Sequence, residues 1–466
     1  MTRTPEFIRN CGASLRERAA LFRRIVAAAG AALALITCSP ALSQVSPSAS
    51  AAPAPADEVM RALEAAQIGN LNLVDELLRH SSPLTAEAML LRAQRAAALL
   101  REDEAREALA RYFAAGDVRP DRVRHARQLA AGSAFFEGRH AEAAAHASRL
   151  LADHGALTAD EITGIERLNG IARLLSAAPV QRLETCGSGH PTATIRDRVG
   201  LIRARIATGA ATEEAIIDTG ANLSVASASA ARRLGLRMLD GDAAVGNSLG
   251  GGVGVRLALA DRLELSGAVL RNVVFLVMED AALTFPVPGG YRIDVIVGLP
   301  VLRALGRISL GPGETLRVLE PDTGDDPLSN LRMVGSSLYA VVAVAGNERP
   351  FFFDTGANSS VIAARFAEEQ PALRGVPGSG SQRAGAGGTA RVNSNRIERV
   401  AIRIGGVEGT ASELRVETQP TPGEERRYGV LGADLLRIFE SATIDFRTMR
   451  LEVGRPLGAA RLPDRD

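Results

Sequence analysis

The stretch Phe351-Phe352-Phe353-Asp354-Thr355-Gly356-Ala357-Asn358 repeats Ala215-Ile216-Ile217-Asp218-Thr219-Gly220-Ala221-Asn222 after 136 residues. In each copy an apolar run, which reads as a buried strand, delivers a carboxylate at its end. A Thr hydroxyl and a Gly follow at once. A second landmark follows each copy. Ile296-Val297-Gly298-Leu299-Pro300 returns as Val430-Leu431-Gly432-Ala433-Asp434, 134 residues on. Between the landmarks lie two glycine loops in the same register, Gly250-Gly251-Gly252-Val253-Gly254 and Gly385-Ala386-Gly387-Gly388. Three landmarks in one register define two copies of one unit. Upstream, Leu201 to Ala207 and Leu338 to Val344 each read as the first strand of a hairpin whose second strand runs into the Asp.

The sequence supplies its own control. Asp322-Thr323-Gly324 is a third occurrence of the tripeptide, but it follows Glu320-Pro321 and precedes Asp325-Asp326, with no apolar strand before it. It reads as part of a polar linker over 313–332, between a first repeat at 192–312 and a second at 333–456. A lone Asp-Thr-Gly is no more than a strand-end turn, where Asp and Gly are common.

Composition removes many other chemistries. The 466 residues contain 54 basic and 53 acidic side chains, a formal charge of +1, so a nucleic-acid partner is not expected. Every basic residue is Arg, which excludes a P-loop lysine, a Schiff-base lysine and a Ser-Lys dyad. From Pro191 to Asp466 there is neither His nor Cys. Ser-His or Cys-His pairs and His- or Cys-ligated zinc are therefore excluded within that segment. What remains is carboxylates, hydroxyls and backbone. No metal and no cofactor is expected.

The two repeats resemble the retropepsin-like aspartic proteases, here with both halves fused in one chain. The resemblance covers about 265 residues, from Thr192 to roughly Arg455. It implies an all-β bilobal acid-protease fold in which Asp218 and Asp354 are the catalytic pair. It also implies that Thr219 and Thr355 cross-brace the two loops and that Gly220 and Gly356 permit close approach. Gly250, Gly251 and Gly252, with Gly385, Gly387 and Gly388, would form two flap tips. Ala221, Asn222, Ala357 and Asn358 would contact substrate. Retroviral members usually have Asp where Asn222 and Asn358 stand, so binding of substrate backbone is expected to differ. Leu299-Pro300 against Ala433-Asp434 shows that the halves have diverged, which implies non-equivalent subsites.

The implied activity is that of an aspartic endopeptidase acting on peptide or protein substrate. Two close carboxylates cannot both ionise cheaply, so they share one proton: one activates water while the other polarises the scissile carbonyl. Two other readings stand beside this one. The same fold could be an inactive peptide- or protein-binding module, or each copy could pair with its counterpart in a second molecule. Against the latter, the linker is long enough for both halves to meet within one monomeric catalytic unit.

The N-terminal part has a different character. Six Arg against two Glu in the first 24 residues, the apolar run Ile25 to Thr37, and Ala41-Leu42-Ser43 predict a signal peptide over 1–43 and an exported, periplasmic protein. Retention through an uncleaved signal, or through a lipid on Cys38, is left open, as is a twin-arginine route at Arg23-Arg24. Residues 44–57 are rich in Ser, Ala and Pro and read as a flexible linker. Over 58–178, Ala and Leu at three- and four-residue spacing predict consecutive helices. Turn-then-helix stretches at Gly69-Asn70-Leu71-Asn72, Glu102-Asp103-Glu104 and Gly138-Arg139-His140 recur at a spacing that resembles tetratricopeptide repeats. An all-α helical-repeat domain able to engage a protein partner is thus expected ahead of the β region. Cys186 reads as an inert residue of the connecting segment.

Overall fold

The computed structural model describes residues 57–457, apart from 83, 117–118, 154–156, 188, 247–251, 286–288, 312–313, 321, 323–328, 379–380, 386–387 and 422–423. The expected signal and all but the last residue of the expected linker lie outside these residues, as do Gly250, Gly251 and Gly387. Among the described residues, no helix is long and apolar enough to cross a membrane.

Helices come first: α1 (Glu58–Ala66), α2 (Asn72–His80), α3 (Ala86–Ala98), α4 (Glu102–Ala115), α5 (Pro120–Phe136), α6 (His140–Ala152) and α7 (Ala159–Leu175). The three recurring stretches open α2, α4 and α6. Start signals in the sequence explain several boundaries. Asp57, the last residue of the expected linker, caps α1 by accepting from the Val59 N–H at 3.1 Å. It also accepts from Arg122 of α5 at 3.0 Å, while Arg122 reaches Glu87 of α3 at 2.7 Å, so one guanidinium ties three helices together. Thr158 and Glu161 form a capping box on α7. Ala62, Ala66, Ala93, Ala96, Ala143 and Ala147 are buried, and their small size lets the helices approach closely.

From Thr192 onward the chain is β-rich, and it builds the same barrel twice. In the first half, Ile202–Ala207 pairs antiparallel with Thr212–Ile217, which leads into Asp218. In the second, Ser337–Val344 pairs with Asn347–Phe353, which leads into Asp354. Later strands return beside these. Val295–Val297 runs parallel to Thr212–Ile217 and antiparallel to Ser224–Ser227. Gly429–Leu431 repeats this between Asn347–Phe353 and Val361–Ile362. The apolar ends of the strands that lead into each Asp, Ala215 to Ile217 and Phe351 to Phe353, are thus buried beside the wholly buried Val295–Val297 and Gly429–Leu431. The flap arms are long hairpin strands in the first half, Arg237–Gly246 with Gly252–Leu265. In the second they are Ser381–Gly385 with Gly388–Val392.

The halves are joined by a shared sheet in which Arg307–Gly311 pairs antiparallel with Ala442–Asp445. Its outer strands correct one expectation: 313–332 is not wholly linker. Thr315–Val318 is a strand paired with Arg307–Gly311 and with Thr192 and Ala193. The second half begins at the strand Leu331–Val334. Pro and Gly at 311–313 and the Asp-rich run after 320 masked a four-residue strand whose Leu316 and Val318 are buried.

The helices pack directly on the β region. Arg303 donates to the Phe136 carbonyl at 2.9 Å, lies over the Phe136 ring and pairs with Glu102. Burial lowers the Arg303 pKa to about 10. Arg426 donates to the Glu64 carbonyl at 2.9 Å and to Gln67 at 3.2 Å. Phe353, fully buried one residue before Asp354, anchors the second loop from below. Phe353→Ala should therefore lower stability by about 3–5 kcal/mol, read as a shift in the denaturant midpoint of the β region, whereas truncation of exposed Val376 should have little effect.

Candidate active site

Each Asp loop is held from beneath by its own half. The Asp218 N–H donates to the Val297 carbonyl at 3.0 Å, and the Asp354 N–H to the Leu431 carbonyl at 3.0 Å. The following glycines have no room for a side chain. A Cβ on Gly298 would fall 2.7 Å from the Ala221 carbonyl oxygen, and one on Gly432 would fall 2.8 Å from that of Ala357. Ser224 Oγ accepts from the Gly298 N–H at 3.1 Å, and Ser360 Oγ from the Gly432 N–H at 2.8 Å.

Each loop is also held from across the pseudo-twofold axis. Thr219 Oγ1 donates to the Phe353 carbonyl at 2.7 Å and accepts from the Thr355 N–H at 3.0 Å. Thr355 Oγ1 donates to the Ile217 carbonyl at 2.7 Å and accepts from the Thr219 N–H at 3.0 Å. These four reciprocal bonds are buried and join the two halves of one chain. Pairing with a second molecule is not needed to complete the loops.

The arrangement brings Asp218 and Asp354 together. A Cβ on Gly220 would lie 2.5 Å from Asp354 Cγ, and one on Gly356 would lie 2.4 Å from Asp218 Cγ. Each carboxylate therefore occupies the space that the opposite glycine leaves free. Asp218 Oδ1 accepts from the Gly220 and Ala221 N–H groups at 2.8 and 3.1 Å. Asp354 likewise accepts from Gly356 and Ala357. Asp218 Oδ2 and Asp354 Oδ1 are buried, and neither has a hydrogen-bond partner.

The two carboxyls are 0% and 3% exposed, so neither charge is relieved by solvent. Burial, and then the charge of Asp354, raise Asp218 well above the ordinary carboxylate range. Burial raises Asp354 too, but hydrogen bonds from Asp218, Gly356 and Ala357 and the positive charge of Arg427 oppose it. Two carboxyls so close and so buried titrate as one pair and favour sharing a single proton.

Of the other expected site residues, Ala221, Asn222 and Ala357 are buried in the loops and Asn358 is half-buried. Asn358 Nδ2 donates to the Val199 carbonyl of the opposite half at 3.1 Å, whereas neither polar atom of Asn222 has a partner. Gly252, Gly385 and Gly388 lie at the ends of the flap arms. Among the described residues, no group of His, Cys, Asp and Glu could hold a metal ion.

Sequence reasoning passed over four residues. Ser224 and Ser360 were legible as a repeated Ser two positions after each Asn. Asp434 was seen only as a divergence from Pro300. It accepts from the Ser360 N–H at 2.8 Å and from Ser360 Oγ at 2.5 Å. Arg427, over the Phe352 ring at 4.4 Å and bonded to Glu424 at 2.7 Å, had no sequence signal.

The aspartyl protease family model matches residues 202–301 and again 340–435, one match on each barrel. The two β halves are thus tandem aspartyl protease domains, and the retropepsin-like double barrel follows a helical region. No curated protein matches the chain in sequence.

Two measurements test the site's construction. Thr219→Val removes a hydroxyl and leaves the Thr355 N–H and the Phe353 carbonyl buried without partners. It should cost about 2–5 kcal/mol in equilibrium unfolding, and Thr219→Ser should recover most of it. The raised carboxyl has a linked effect. Asp218 stabilises the fold fully below its unfolded value of about 4, and this contribution is lost as pH rises through the higher folded value. Asp218→Asn should abolish that decline between acid and neutral pH; an unchanged slope would show that Asp218 is not the protonated member.

Proposed function

We propose that the chain is an aspartic-type peptidase acting by water activation between Asp218 and Asp354. The observation that carries this reading is the buried carboxyl pair, each member lying in the space that the opposite glycine leaves free. Ionised Asp354 takes a proton from a water held between the carboxyls. Protonated Asp218 hydrogen-bonds the scissile carbonyl as it becomes tetrahedral. The proton gained by Asp354 then goes to the leaving nitrogen, and the pair returns to its starting state. Every step uses groups of this chain and a water, and no covalent intermediate forms.

Divergence of the halves supports a division of labour within the pair. Arg427 lies near Asp354 and has Ile293 at its counterpart position, so positive charge favours ionisation on one side of the axis only. The substrates we infer are peptide bonds of exported proteins, since the basic, apolar and small-residue order of the first 43 residues fits a secretory signal and a periplasmic setting. The helical region, with α2, α4 and α6 opening at the recurrent stretches, is read as a tetratricopeptide-like array whose outer face engages a protein partner.

Hydrolysis of a peptide library by the full chain should be greatest at acid pH and fall as the shared proton is lost. Asp218→Asn and Asp354→Asn should each reduce kcat/KM by about 10²–10⁴-fold or more, with folding intact. Retained turnover in either variant would rule out the pair as the catalytic centre.

A further inference from the structure

The helices rest on both barrels. Leu174 of α7 packs on Gly241 of the first flap arm, and Gly132 of α5 faces Gly335 of the second half so closely that an added Cβ would lie 4.0 Å from its Cα. Between the helices and the second half lies a cavity of about 150 Å³. Leu129, Phe135, Ile165 and Leu168 line it from α5 and α7, and Met333 and Tyr339 from the facing strands. Among the described residues, none from either Asp loop or flap arm lines it, so the cavity is separate from the cleft. Its walls are mostly apolar, and an apolar cavity of this volume admits a benzene-sized group.

The charges around it do not cancel. Glu102, Glu137 and Glu424 line the cavity, and each has an arginine of its own: Glu102 pairs with Arg303, Glu137 with Arg139 at 2.8 Å and Glu424 with Arg427 at 2.7 Å. Arg426 also lines it and is half-buried, yet among the described residues it meets only neutral acceptors, the Glu64 carbonyl at 2.9 Å and Gln67 at 3.2 Å. Burial lowers its pKa, while the more distant charges of Glu64 and Arg365 act on it in opposite directions. A guanidinium in such surroundings gains a strong, forked pairing from a carboxylate. His125 adds no charge at neutral pH, because burial lowers its pKa to about 4 and Gln94 bonds it at 2.7 Å. A second polar group points to a missing partner. Ser336 lines the cavity, is 6% exposed, and its Oγ has no hydrogen-bond partner among the described residues. Buried hydroxyls are normally paired. Apolar walls, a few convergent polar groups and a position between packed domains are the usual features of a small-molecule site.

We propose that this cavity binds a small apolar carboxylate of about the size of benzoate, at a site separate from the Asp218–Asp354 cleft. Arg426 pairs with the acid group, the Ser336 hydroxyl gains the partner it lacks, and the apolar body lies among Leu129, Phe135 and Leu168. A ligand held there touches α5, α7 and the second barrel together, so it acts as a clasp between the helical region and the β region. The proposal goes beyond the peptidase reading and does not rest on it.

The test is calorimetric titration of the full chain with benzoate and phenylacetate, beside benzamide, which keeps the shape without the charge, and acetate, which keeps the charge without the body. One aromatic acid should bind per chain, with benzamide and acetate at least about tenfold weaker, and the acid should raise the thermal unfolding midpoint. Arg426→Gln should weaken acid binding at least about tenfold. Because Arg426 also holds the helices, Ser336→Ala serves as a second variant: it removes a hydroxyl that bonds nothing, so the fold should be unchanged while acid affinity falls about threefold or more. Asp218→Asn should bind the acid as the parent does, which separates this site from the cleft whether or not the chain cuts peptides. No binding of either aromatic acid, equal binding of benzamide, undiminished binding by both Arg426→Gln and Ser336→Ala, or loss of binding in Asp218→Asn would each overturn the proposal.

Discussion

Two threonine hydroxyls hold the molecule's working part together. Thr219 and Thr355 each donate to a carbonyl and accept from an N–H of the opposite loop, at distances of 2.7 and 3.0 Å. Because each bond partner is main chain, these bonds fix the backbone that carries Asp218 and Asp354 and not merely their side chains. A hydroxyl is the smallest group that can both donate and accept, and both threonines are fully buried, away from solvent. Gly220 and Gly356 then follow of necessity, since a Cβ at either position would strike the opposing carboxyl.

Duplication makes the pairing possible, and divergence makes it useful. A strictly symmetric pair would place its proton on either carboxyl alike. Here Arg427 on one side and Ile293 on the other, with Asp434 opposite Pro300, break the equivalence around the pair. The two Asn side chains differ as well: Asn222 is buried without a hydrogen-bond partner, whereas Asn358 is half-buried and bonds to Val199. Arg303 and Arg426 fasten the helices to the β region by bonding to Phe136, Glu64 and Gln67.

Much of this was legible in the residues themselves. The doubled Asp-Thr-Gly-Ala, with an apolar-apolar-Gly strand behind each copy, identified two equivalent barrels, because the close approaches at Gly298 and Gly432 tolerate no other residue. Exclusion of His, Cys and Lys chemistry from the β region left the carboxylates as the reactive groups. What could not be read was anything decided by contacts distant in sequence. Arg427 and Asp434 act through neighbours that only folding brings near, and the strand Thr315–Val318 is too short for its alternation to stand out beside Pro312, Gly313 and the acidic run after it. The packing of α7 on the first flap arm depends on Leu174 meeting Gly241, two residues unremarkable in their own segments.

The central claim is that one chain builds one site from both halves around a shared proton. Calorimetric titration with a peptide analogue bearing a tetrahedral hydroxyl carbon at the scissile position tests it most directly, because such a group is matched to the reacting state. The account predicts one analogue bound per chain, with affinity falling as the shared proton is lost at higher pH, and strong weakening by either Asp218→Asn or Asp354→Asn. Two analogues per chain, or one bound equally well by both variants, would contradict it.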